Sequence, residues 1–231
     1  MHSRSVLFHV DPDKVQTIKD WPVPRTQEEL HSFLGLTGYV QRFCPEYASL
    51  TASMFALLKE KNKRNAKIHF SDEQLKNFKE LKRRLCNPPV LHLSDFRRLM
   101  HLRTDARRFA VGGILFQDVD GVERPIAYTS RKMKSAELNY PTQQQGLLAI
   151  VHPLAAFRIY CLDKPPIIET DHKSLEGLFT SQFFNATPNI YSLFQADYAI
   201  RITDRAGNDL SSTVAITVEG GLTREYTSIG K

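Results

Sequence analysis

Ten Lys and Arg residues crowd one short stretch of the chain: Lys59, Lys61, Lys63, Arg64 and Lys67, then Lys76, Lys79, Lys82, Arg83 and Arg84. Side chains of this kind grip phosphate oxygens without regard to base sequence, and the contact is salt-sensitive because counterions are released. The plainer use of such a run is a solvated helix face, and the residues alone leave both readings open. Cys44, Cys86 and Cys161 are widely spaced, with no second Cys or paired His nearby, so neither a disulfide framework nor a zinc site is supported. They read as buried or inert thiols. His172 directly follows Asp171 and offers a general base or a ligand, or simply a positioned polar residue. Arg107 and Arg108 follow Asp105 and bring positive charge beside that carboxylate.

The basic character is uneven along the 231 residues. Of the 31 Lys and Arg, 18 lie in residues 1–104, against only 11 of the 25 Asp and Glu, so a basic front half joins a near-neutral back half. An apolar fraction of 42% argues against a disordered chain. No apolar run approaches the roughly 18–20 residues of a membrane-spanning helix, and Leu147 to Phe157 is interrupted by His152 and Pro153. Met1 to Val10 is too short in apolar residues for a signal peptide. The expectation is a cytosolic or nuclear protein that does not enter a membrane.

Clear start signals place these side chains on elements. Asp11-Pro12 pairs an N-cap acceptor with a proline at the first helical position, predicting a helix over 12–20. Thr26 to Glu29 and Ser71 to Gln74 read as capping boxes, opening helices over 27–43 and from 72. A further helix is expected over 46–59. On the helix from 72, Leu75, Phe78, Leu81 and Leu85 form an apolar stripe, with Lys76, Lys79, Lys82 and Arg83 mostly off it. Asn87-Pro88-Pro89 ends it. Strands are expected over 99–104, 109–117 and 123–129, the last two joined by Asp118, Asp120 and Gly121. A helix over 142–160, a strand over 166–170 and a short helix over 174–179 follow. This order predicts a mixed α/β fold, a helical segment followed by a mixed five-stranded sheet with flanking helices. In the tail, Val214, Ile216 and Val218 alternate as in one strand.

Several blocks in order resemble gypsy-type LTR-retroelement reverse transcriptases: Val10-Asp11-Pro12-Asp13-Lys14-Val15, Trp21-Pro22-Val23-Pro24, Glu29 to Leu36 with Tyr39, Pro89-Val90-Leu91, Thr104-Asp105-Ala106, Pro125-Ile126-Ala127-Tyr128, Ser130-Arg131-Lys132, Glu137 to Pro141, and Thr170 to Leu175. The resemblance spans roughly 10–202. It implies a thumb-like segment over 1–60, a connection with the basic helix over 61–98, an RNase H-like domain over 99–203 and a divergent tail over 204–231. It also implies that the fingers and palm, with their magnesium-binding aspartates, would lie before Val10, so no polymerase site is expected here.

By the same resemblance, RNase H chemistry rests on two metal ions, Mg2+ or Mn2+, held by four carboxylates. Asp105, at the end of the first strand, and Asp171, at the end of the fourth, match two of them. Aligning Leu147-Leu148-Ala149 with the family puts Gly146 where a Glu is expected, after Gln143, Gln144 and Gln145. The fourth position falls on Ser212, with Asp209 or Glu169 as possible substitutes. Pro153 falls inside the expected helix and costs it about 3 kcal/mol. The leading expectation is a retroelement-derived segment with impaired catalysis and residual binding to the backbone of a hybrid or duplex. The alternatives are an active RNase H using substitute carboxylates, and a domesticated scaffold that binds protein.

Overall fold

The computed structural model describes residues 7–58, 66–107, 109–164, 166–172, 175, 198–202, 213–219 and 222–229, with backbone alone for 7–8 and the last three stretches. Helix α1 spans Pro12–Asp20, with the Asp11 carboxylate accepting the Asp13 N–H. Helix α2 spans Gln27–Tyr39, shorter than the expected 27–43, because past Val40 the chain tightens into a 3-10 turn at Gln41–Phe43. Thr26 caps it, while the Glu29 carboxylate takes the N–H of Arg25, the residue before the cap. Helix α3 spans Tyr47–Leu57 behind Glu46, whose φ of 55° is left-handed, an uncommon conformation for a residue with a Cβ. Helix α4, Asp72–Cys86, has its capping box closed in both directions between Ser71 and Gln74.

These four helices share one core. Ile18, Leu30, Phe33, Met54, Phe78 and Leu81 are fully or almost fully buried together, with the Phe33 and Phe78 rings 4.7 Å apart. The apolar stripe of α4 therefore packs into the helical segment. Lys82 lies along the seam and donates to the Trp21 carbonyl at 2.6 Å.

Strand β1, Leu7–Phe8, pairs with β2, Leu91–His92. The main sheet holds β3 (His101–Arg107), β4 (Ala110–Val119), β5 (Val122–Lys132), β6 (Ile167–Thr170), β7 (Tyr198–Ile202), β8 (Thr213–Glu219) and β9 (Leu222–Ile229), in the order β5-β4-β3-β6-β7-β8-β9. The β3–β6 and β6–β7 pairs are parallel and the rest antiparallel. Strands β3 to β6 fall where four strands were expected, β7 makes a fifth, and the tail adds a hairpin at the edge where one strand was expected. Asp120 and Gly121, both at positive φ, make the two-residue turn between β4 and β5. Pro125 sits in the edge strand β5, where the missing donor is tolerated, beside a register shift at Leu115 and Phe116. The short helix expected over 174–179 lies outside the described residues except for Leu175.

Helix α5, Thr142–Ala156, covers one face of the sheet, burying Leu102, Leu115, Ile126, Ile150, Leu154 and Ile168. It runs through Pro153 rather than breaking there. A Cβ on Gly113 would lie 2.8 Å from Pro153 Cγ, so the proline ring fills the space that this glycine leaves. Tertiary packing offsets the lost hydrogen bond, and the helix gives way to a 3-10 turn only at Arg158–Tyr160.

The opposite face is charged. Glu169, 8% exposed, accepts from His101 Nδ1 at 3.1 Å and from Arg103 Nη2 at 2.8 Å. The Arg103 guanidinium also holds Glu123 and lies over the Phe116 ring, 4.7 Å from its centre. Burial pushes the Glu169 carboxyl up, but the bond from His101 and the charge and bonds of Arg103 outweigh it and hold it below the usual range.

Two outcomes are expected in urea unfolding. Glu169→Gln removes a charge from a paired, buried cluster and lowers stability by about 1–3 kcal/mol; an unchanged midpoint would contradict this placement. His152, whose Nε2 lies 3.2 Å from Thr129 Oγ1, has its pKa pushed down to about 4 by burial and then by Arg131, against the opposite pull of Glu137. The unfolded chain then binds a proton near pH 6.5 that the folded chain refuses, so this contribution is complete above 6.5 and lost as pH falls toward 4. His152→Gln is expected to show a shallower loss of stability across that window than the parent chain.

Candidate functional site

Strand β3 places Asp105 inside the sheet rather than at a strand end. The hairpin closes at Arg107 opposite Ala110, so pairing continues two residues past the carboxylate. Alternation puts Leu102 and Thr104 on the buried side, and His101, Arg103, Asp105 and Arg107 on the charged face. Asp171 follows the end of β6, the strand parallel to β3. One ligand atom each from Asp105, Asp171 and His172 lie within 4.8 Å of one another, which makes these the residues that could hold a metal ion.

The surroundings restrict that possibility. Arg107 Nε lies 2.6 Å from Asp105 Oδ2. Burial pushes the Asp105 carboxyl up, Arg107 pulls it down and Asp171 pushes it up again, leaving it above the ordinary range. His172 Nε2 accepts the Ala106 backbone N–H at 3.1 Å. A backbone N–H only donates, so in the neutral ring the proton sits on Nδ1 and no lone pair is left for a metal. A Cβ on Gly146 would meet His172 Cβ and Cγ at 3.3 Å, so the imidazole lies against the bare backbone of α5. The described residues thus bring together two carboxylates, Asp105, which is ion-paired with Arg107, and Asp171, and do not make up the four-carboxylate set that the resemblance implies.

The other expected site residues separate into groups. Glu169 lies on the charged face but is taken by His101 and Arg103. Asp209, Lys59, Lys61, Lys63 and Arg64 lie outside the described residues. Lys67 is exposed, its backbone bridged to Thr26. Lys76, Lys79 and Arg83 are exposed along one side of α4 and border a shallow recess with Asp72 and Glu80. Arg83 and Arg84 both hold Glu80 and push its carboxyl down to about 2. Arg84 also donates to Glu46 at 3.1 Å and to the Pro45 carbonyl at 2.9 Å. Lys82 and Arg84 are therefore engaged within the helical segment. All three cysteines are free, and burial pushes the Cys44 and Cys161 thiols up to about 12 and about 11.

Sequence reasoning did not single out Glu46. Its carboxylate joins Arg84 on one side and Arg107 on the other, across a cleft of about 240 Å³ between α3 and strands β3 to β5. The left-handed backbone of Glu46 gives no signal in the residue types around it.

Residues 70–168 match the family described as the RNase H-like domain found in reverse transcriptase. The chain is 36% identical over 184 residues to the retrovirus-related Pol polyprotein from transposon opus of Drosophila melanogaster, covering 76% of this chain and 18% of that protein. It is 32% identical to the corresponding polyprotein from transposon 297 of the same organism, over 90% of this chain and 19% of that one. The transposon Tf2-3 polyprotein of Schizosaccharomyces pombe is 31% identical over 85% of this chain and 15% of its own length. The chain thus spans less than a fifth of the length of each of these relatives. The foamy viral protease-reverse transcriptase in complex with dsDNA superposes with a TM-score of 0.70 at 18% identity, over 85% of this chain and 42% of that one. The same enzyme in complex with an RNA/DNA hybrid gives 0.62 at 21%, over 75% and 23%. No helix among the described residues is long and apolar enough to cross a membrane. Most of the chain is thus similar to retrotransposon Pol polyproteins, and residues 70–168 match the RNase H-like domain found in reverse transcriptase.

Proposed function

We propose that this chain acts as a reverse transcriptase/RNase H-like segment that holds the backbone of an RNA–DNA hybrid or duplex without cutting it. The observation that carries this reading is the state of the carboxylate pair: Asp105 is ion-paired with Arg107, and His172, with its ring nitrogen on the Ala106 N–H, fills the space beside Gly146. Two metal ions bridged by carboxylates would supply an activated water and stabilise the leaving oxygen. Here Gly146, at the position of the family's Glu, contributes no charge, and Glu169 is held by Arg103 and His101. Binding is supported by Lys67, Lys76 and Lys79, which are exposed and have no ion pair among the described residues. The two solved reverse transcriptases described above are complexes with double-stranded DNA and with an RNA/DNA hybrid.

Both halves are tested on one labelled hybrid. With Mg2+ or Mn2+ it is expected to remain intact while its affinity falls steeply between low and physiological salt. Replacing Lys76 and Lys79 together by Ala is expected to flatten the dependence of log K on log salt by about 1–2. Cleavage that disappears in Asp105→Asn would overturn the loss of catalysis, and affinity indifferent to salt would overturn the electrostatic grip.

A further inference from the structure

A continuous line of charge runs from the helical segment to the sheet. Glu80 on α4 holds Arg84; Arg84 holds Glu46 at the start of α3; Glu46 holds Arg107; and Arg107 holds Asp105. The signs alternate at every step, so each member is stabilised by its neighbours. The last link is a single guanidinium used from two sides, Nε on Asp105 and Nη1 on Glu46. Its planar fork makes this possible where a lysine would offer one point charge. A second tie lies close by: the Ala48 N–H, unpaired within the first turn of α3, donates to Ser130 Oγ on β5 at 2.9 Å.

We infer that Arg107 is an internal counter-cation that has taken the place of a divalent ion at Asp105 and, through Glu46, clasps the helical segment to the sheet. The Asp105 carboxylate that could coordinate a metal is also the group that anchors the clasp. Cation binding and clasp closure therefore oppose each other, and by linkage each weakens the other by the same factor. This also accounts for the left-handed backbone of Glu46: a strained residue persists where its surroundings over-determine it, and two arginines grip this one. The inference concerns metal affinity and stability, so it stands or falls separately from whether the hybrid is cut.

The test is a titration of the full chain with Mn2+ alone, read by water-proton relaxation. Arg107 is two-thirds exposed, so Arg107→Ala and Arg107→Gln leave the core intact. Both are expected to bind Mn2+ about two- to fivefold more tightly than the parent, given the modest strength of exposed pairs, and adding Asp105→Asn is expected to abolish the gain. In urea, Glu46→Gln and Arg107→Ala are expected to lower the unfolding midpoint, with the double variant no worse than the more damaging single one. Unchanged Mn2+ affinity without Arg107, or a gain that survives Asp105→Asn, would overturn the internal cation. Strictly additive midpoint shifts would overturn the clasp.

Discussion

Strand β3 is the constraint on which the rest of the molecule depends. It is the point where the sheet changes from antiparallel pairing with β4 to parallel pairing with β6, and its alternation divides neighbouring side chains between two environments. Leu102 and Thr104 go to the core under α5, while His101, Arg103, Asp105 and Arg107 go to the charged face. A slip of one residue would bury three cations or anions and expose the core, so the hydrophobic side fixes the register and the charged side inherits its position. The carboxylate at 105 is thus held in place by packing that has nothing to do with its chemistry.

That arrangement explains how the fold survives changes at the site. The core between α5 and the sheet needs Gly113 to admit Pro153, and it needs the region around Gly146 filled, which His172 and Leu175 do. Neither requirement involves a metal. On the charged face Glu169 and Glu123 both meet Arg103, and Asp105 meets Arg107. A face that in a metal-dependent nuclease would concentrate negative charge is here neutralised from within. On the proposed reading, contact with phosphate falls to the exposed lysines of the helical segment.

Much of this was legible in the residues. Pro12, Thr26, Ser71 and the Asp120-Gly121 turn announce their elements because caps and tight turns are local chemistry, and the structure places them where those signals fall. The end of β3 was not legible, since Arg107 and Arg108 resemble the start of a loop and only pairing with Ala110 keeps the first of them in the strand. A helix through Pro153 was expected, but what offsets its cost was hidden for the same reason: the compensation comes from Gly113, forty residues away. Asp105 and Asp171 stood out through the blocks that contain them, but the acceptor role of His172 Nε2 and the bridging role of Glu46 arise from contacts between distant segments. Every residue of the basic run was a candidate for phosphate contact, whereas Lys82 and Arg84 face inward because the apolar stripe of α4 turns their part of the helix toward Trp21 and Glu46.

The occupancy of Asp105 is most directly tested by anomalous diffraction from crystals of the full chain soaked in Mn2+ at a concentration that saturates complete carboxylate sites. The expected map shows the Arg107 guanidinium against Asp105 and no manganese bridging Asp105 and Asp171. Two manganese peaks spanning those carboxylates, with Arg107 turned away, would contradict it.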